Sequence, residues 1–246
     1  MSEERIGEIL DAFESIGAYK RKEVQAAMEL KEEITPFLIE TVESVASNPP
    51  EYAESPSYFA HIYAIMLLGH FREARSHEAI VKLAALPDGM AKKLLGDMIA
   101  EDLGIILYQT RGGSIEAIQS LAMKEDADAY SRWAALDATV YAVADGIVAR
   151  EFVVYFFSAM LDQLNELDSR SHVWTRLADA AYNLYPEELM DRLKDAYERG
   201  RIDSWMVSLE DLEEALEGSV DVLTQSPLTP KTGVLDSLEL PKKSSG

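Results

Sequence analysis

The chain has 246 residues, 48% of them hydrophobic, and a formal charge of −21 from 23 basic and 44 acidic side chains. That apolar content supports a sizeable core and excludes wholesale disorder, and the length fits one large domain. So acidic a chain is poorly suited to a phosphate backbone, where Lys and Arg must displace counterions, or to an anionic membrane surface.

Charge of this sign favours a basic protein partner, because complementary fields speed encounter. From Ser219 onward Asp221, Asp236 and Glu239 balance Lys231, Lys242 and Lys243, so the residues before it carry the whole excess. With no cysteine, disulfides, thiolate catalysis and thiolate-bound zinc are excluded. No window reaches the roughly 18 apolar residues of a membrane-spanning helix. Tyr58 to Leu68 comes nearest, closely bounded by His61, His70 and Arg72. No basic stretch leads into an apolar run after Met1, so a cytoplasmic location is expected.

Helical periodicity dominates, with no convincing alternation of strand type. Ile6, Ile9, Leu10 and Phe13 form a first stripe ended by Gly17, and Val24, Ala27 and Met28 a second. Ile34, Leu38, Ile39 and Val42 predict a third helix with Pro36 in its first turn, where the missing N–H is not needed. Asn48-Pro49-Pro50-Glu51 reads as a break and Ser55-Pro56-Ser57 as a new start. Helices are then expected near 58–71, 76–86, 90–100 and 101–110, the last ended by Gly112-Gly113, with Ser114 placed to cap its successor.

The longest pair is expected over 128–145 and 148–166, its second member carrying Phe152, Val153, Phe156, Phe157, Met160 and Leu164 as one wide apolar stripe. A further pair follows over 171–184 and 187–199, joined at Tyr185-Pro186. A helix over 208–217 keeps Leu209, Leu212 and Leu216 inward and suits a terminal cap. Beyond Gly218, prolines and Gly233 interrupt every helix, so 219–246 reads as a mostly disordered tail. Its segment Val234–Leu240 is a candidate linear motif.

Trp133 and Trp174 lie 41 residues apart, each followed by Leu at +3 (Leu136, Leu177) and Tyr at +8 (Tyr141, Tyr182). Roughly 40 to 47 residues is the period of HEAT and armadillo units, whose helix pairs bury apolar faces against their neighbours. The expected fold is all-α: a right-handed α-solenoid of about 11 to 12 helices, with residues 1–218 as one domain.

Glu33-Ile34-Thr35-Pro36, Tyr58-Phe59-Ala60-His61-Ile62-Tyr63-Ala64, Leu95-Gly96-Asp97, Arg132-Trp133-Ala134-Ala135-Leu136, Leu184-Tyr185-Pro186-Glu187-Glu188-Leu189 and Ser208-Leu209-Glu210-Asp211-Leu212-Glu213 occur in that order. With these the chain resembles a bacterial family of uncharacterised HEAT-like proteins, a domain of unknown function, over about residues 20–216. The resemblance implies an all-helical repeat fold and supplies no activity. Some relatives continue into a cysteine-rich SEC-C zinc module, whose ligands this chain lacks.

Candidate site residues follow from residue chemistry. Asp97 and Glu101 stand at i, i+4, placing two carboxylates on one helix face, as hard cations or acid–base work would need. In an acidic chain the same spacing also arises on any solvated face. Gly96 would permit close helix approach beside them. His61, His70 and His77 lack the spacing of a zinc pair, and His61 is expected to hydrogen-bond beside Tyr58 and Tyr63. Tyr58, Tyr63, Trp133, Tyr141, Trp174 and Tyr182 are either core aromatics or anchors of a recognition surface.

The function expected is a non-catalytic protein-binding scaffold with an acidic concave surface, using Tyr58, His61, Tyr63, Asp97, Glu101, Trp133 and Trp174. Its partner is expected to be a basic protein, with no cofactor, metal, nucleic acid or membrane. The alternative is an enzyme on a HEAT-like scaffold, bilin-lyase-like or carboxylate- and metal-dependent, with a pocket near Asp97 and His61.

Overall fold

The computed structural model describes residues 2–15, 17–87, 89–166 and 172–217. The tail 219–246, with its candidate motif, lies outside them. Among the described residues the fold is all-α, and strand-type backbone pairing is limited to the isolated bridges Ser15–Tyr58 and Pro87–Ala127.

The helices are α1 (Ser2–Glu14), α2 (Arg21–Glu29), α3 (Lys31–Ser47), α4 (Pro49–Ala53), α5 (Ala60–Phe71), α6 (His77–Ala84), α7 (Met90–Leu95) and α8 (Met98–Glu101). They continue as α9 (Leu103–Thr110), α10 (Glu116–Met123), α11 (Ala129–Ala144), α12 (Arg150–Glu166), α13 (Val173–Tyr182), α14 (Met190–Glu198) and α15 (Leu209–Glu217). Short 3-10 turns over Ala74–Ser76 and Glu187–Leu189 lead into α6 and α14.

Several boundaries depart from the periodic reading. Helix α3 begins at Lys31, so Pro36 stands in its second turn rather than its first. The Glu32 carbonyl that loses its partner belongs to an exposed residue, as Pro36 does, so the break lies on the solvent side of the helix. Pro49-Pro50 opens α4 instead of only breaking the chain, because proline's fixed φ and absent N–H suit the first helical positions. The single helix expected over 90–100 is two helices. Gly96, with φ 57° and ψ −138°, turns the backbone between them into a conformation open to glycine. Nothing lies within 4 Å of a Cβ built there, so Gly96 serves the turn and not a close helix approach. Ile115, not Ser114, is the N-cap residue of α10; Ser114 stands one position earlier, its Oγ accepting from the Glu116 N–H at 3.1 Å.

Packing joins helices that are near in sequence. Helices α3, α5, α9, α11, α13 and α15 each lie against the next in that order. A second row runs α3, α6, α10. It continues to α12 through Gln163 Nε2, which donates to the Met123 carbonyl at 3.2 Å, and on to α14 through Arg192–Asp162 at 3.5 Å. The inner members α5 and α9 are apolar on every side and nearly every residue is buried, as expected of helices enclosed by others. Side-chain hydrogen bonds link residues about one helix pair apart, such as His61 with Leu94 (33 residues) and Gln163 with Met123 (40 residues). This neighbour-on-neighbour order is compatible with the expected solenoid.

One buried apolar cluster runs from Ile6 to Leu212. Val153, Phe157, Met160 and Leu164 of α12 enter it as expected. Phe152 does not: it faces outward and is 51% exposed. Among the described residues no helix is long and apolar enough to cross a membrane.

Candidate functional site

The amino-terminal candidates come together, but as packing. Tyr63 is buried and stacks on Phe13 with ring centroids 4.4 Å apart, while Phe59 meets it edge-on at 5.8 Å. Its hydroxyl accepts from the Lys20 N–H at 3.2 Å, tying the loop before α2 to α5. Tyr58 is half-buried between Tyr52 and His61. Burial first, then the nearby Tyr52 and Glu14, push its hydroxyl up to about 12. His61 is 3% exposed, and its Nε2–H donates to the Leu94 carbonyl at 2.7 Å, pinning the last turn of α7 to α5. As contact residues of a recognition surface, Tyr63 and His61 are therefore corrected to core residues.

Asp97 and Glu101 stand at the two ends of the short helix α8, and both are exposed. Among the described residues no three His, Asp or Glu side chains are grouped to hold a metal ion. Trp174 is corrected as well: it is fully buried, with the Arg201 guanidinium 5.3 Å from its ring centre.

His77 has a structural role that its sequence spacing does not reveal. Thr110 spends its hydroxyl proton on the Ile106 carbonyl at 2.9 Å, so its oxygen accepts from His77 Nδ1–H at 3.0 Å. The ring is then neutral, with a buried Nε2 lone pair that meets no hydrogen-bond partner. Burial, seconded by the Arg111 charge, pushes its pKa from 6.5 down to about 4. Below the unfolded value the unfolded chain binds this proton and the folded chain does not. Stability is thus fully present above pH 6.5 and falls as pH drops toward 4. The His77→Gln variant should lose about 2 to 3 kcal/mol less than the native chain between neutral pH and pH 4.5, compared by urea denaturation.

The polar constellation that the structure does assemble lies across α11 and α13. Trp133, Asp137 and Tyr141 follow one another at four-residue steps on α11, and Arg176 and Asp179 face them from α13. Arg176 bridges the two carboxylates, pairing with Asp137 through Nη2 and with Asp179 through Nη1 at 3.1 Å. All three side chains keep about a fifth of their surface exposed (21% to 23%). Gly104 of α9 makes the approach from the other side: a Cβ there would stand 3.1 Å from Asp137 Cβ and 3.2 Å from the Ala134 carbonyl oxygen.

Burial raises the carboxyl of Asp137 and that of Asp179 above the ordinary range, against the pull of Arg176. Burial also works against the Arg176 charge, but the two carboxylates outweigh it. Burial, then the Asp137 charge, pushes the Tyr141 hydroxyl up to about 12.

A strip of aromatic and sulfur groups extends from this cluster to the surface. Lys92 of α7 sits 5.0 Å over the Tyr130 ring, Tyr130 meets Trp133 edge-on at 5.1 Å, and Arg176 lies 6.0 Å over Trp133. Arg176 Nη1 also reaches Met206 Sδ at 3.7 Å. The preceding Trp205 is 71% exposed. Of the residues expected to form a recognition surface, only Trp133 belongs to this strip. Tyr130, Arg176 and Trp205 had no periodic signal, since each depends on the register between helices.

Among the described residues the chain is all-α, its helices packed neighbour on neighbour with a partly exposed ion cluster between α11 and α13, which places it in the broad class of all-α proteins. Within that class its family is defined by sequence. Residues 5–229 match the family described as "Protein of unknown function (DUF1186)", and the chain belongs to it. An uncharacterized protein of Chlamydia trachomatis serovar D is 29% identical over 224 residues, covering 91% of this chain and 88% of its own. Its counterpart in Chlamydia muridarum is 29% identical over 225 residues, covering 91% and 89%. No solved structure matches the chain.

Proposed function

We propose that this chain is a non-catalytic scaffold that binds a basic protein partner through the α11–α13 strip. One observation carries the reading: Trp205, 71% exposed, immediately precedes Met206, the end of a chain of contacts through Arg176, Trp133 and Tyr130 on a strongly acidic protein. Large exposed aromatics supply rigid contact area and are enriched among residues that dominate binding energy.

The surrounding carboxylates then select among partners. The excess of 44 acids over 23 bases favours a cationic surface and opposes nucleic acid, so the partner is a protein and the chain acts where such partners are dissolved. Arg176 and its two carboxylates set the floor of the strip by holding α11 and α13 in register.

The test is affinity capture from an extract of the source organism, with quantitative mass spectrometry of what is retained. A defined set of basic proteins should be held by the native chain and released by salt. The Trp205→Ala/Tyr130→Ala variant should recover about tenfold less of it, the loss expected when anchor residues are truncated. Equal recovery by the variant would remove the strip from the function.

A further inference from the structure

Helix α12 is apolar on more than the face it buries. Val153, Phe157, Met160 and Leu161 enter the core, while Phe152 (51% exposed) and Tyr155 (75%) stand one turn apart on the outside. Ile147, just before the helix, is exposed to the same degree as Phe152. No other stretch of the described residues places three large exposed hydrophobics within nine positions.

The charge around this end of the helix is one-sided. Arg150, its cation, is already committed: its guanidinium pairs with Glu188 at 2.6 Å and donates to the Leu184 carbonyl at 2.5 Å. The exposed Glu151 and Glu187 add to the negative field that Arg150 feels. An apolar patch with exposed carboxylates nearby disfavours two kinds of occupant. A second copy of this chain would bring another charge of −21 against the first, and an anionic lipid surface would be repelled likewise.

We infer that the first two turns of α12, with Ile147, Phe152 and Tyr155 exposed beside Glu151 and Glu187, dock a basic amphipathic helix of another protein. Its apolar side covers the aromatic rings and its Lys and Arg residues meet the glutamates, the arrangement by which amphipathic helices are recognised at anchor spacings of one turn. The surface is separate from the α11–α13 strip and does not depend on that strip's having a partner.

The experiment uses the full chain and a fluorescein-labelled synthetic helical peptide made of Leu and Lys, with Leu at helical spacing along one side. Anisotropy titration should show binding that weakens about tenfold or more in Phe152→Ala/Tyr155→Ala, a change that leaves the protein's charge untouched. The Glu151→Gln/Glu187→Gln variant should bind with a shallower dependence on salt. Trp205→Ala should bind as the native chain does, which keeps this surface distinguishable from the strip. Hydrogen exchange should show peptide-induced protection over residues 147–159. The inference is overturned if the double aromatic variant binds like the native protein, or if protection falls at 203–207 instead.

Discussion

Replacing Arg176 with methionine should cost about 3 to 5 kcal/mol of folding stability, among the largest losses expected of a single change in this protein. The residue stands between Asp137 and Asp179 with about a fifth of its side chain exposed. Methionine keeps the length and apolar body but leaves two carboxylates in a partly buried site with no counter-charge. The native cluster is not itself a large source of stability, because its three charged groups lose hydration to form it. The penalty comes from removing one member and stranding the others.

The sign of the pH response separates this account from simple loss of packing. Burial already raises the folded-state values of Asp137 and Asp179, and without Arg176 they rise further. A carboxyl whose folded value exceeds its unfolded value is stabilised by protonation, so the variant should regain stability as pH falls from neutral toward the carboxyl range. Neutralising the same groups, in Arg176→Met/Asp137→Asn/Asp179→Asn, should recover most of the loss at neutral pH. Urea denaturation of the three proteins measures both effects. A loss under about 1 kcal/mol for the single variant would show that charge balance does not govern this site.

The all-helical fold was legible because the core is built from repeated helical stripes. Ile6, Ile9 and Phe13 are buried as their spacing requires, and Leu136 and Leu177, the equivalent positions of the 41-residue repeat, are both fully buried. Breaks were harder to read than stripes. Apolar residues continue at helical intervals through Leu94, Leu95, Met98 and Ile99, so the apolar pattern does not announce that the helix breaks at Gly96. Pro36 was misplaced because a proline's tolerance inside a helix depends on whether the carbonyl it leaves unpaired faces water.

The site was less legible, since it depends on register between helices. Asp137 and Arg176 are 39 residues apart and pair only because α11 lies against α13. A trace of this was present: the 41-residue offset sets Asp137 opposite Ala178, with Arg176 two positions before it and Asp179 one position after. Charged residues at matched places on two otherwise apolar helices are the signal that would have located the triad. Asp97 and Glu101, by contrast, satisfied a spacing rule in one dimension and stand on opposite ends of a four-residue helix in water.

The same repeat contains two tryptophans that sequence treats alike and the fold does not, and this difference yields the second large effect. Trp174 is fully buried, within a cluster that includes Val173, Leu177 and Ala178. Trp174→Ala should cost about 3 to 5 kcal/mol, the sum of lost transfer energy and the cavity left where surrounding helices cannot close. Trp133 is only partly buried and lies under the Arg176 guanidinium with its outer side beside Tyr130. Trp133→Ala should therefore cost less than half as much, because water fills part of the space and the helices need not collapse into it. Thermal denaturation compares the two directly. Equal losses would mean that the repeat defines one environment twice, and that Trp133 belongs to the core rather than to the strip proposed to meet a partner.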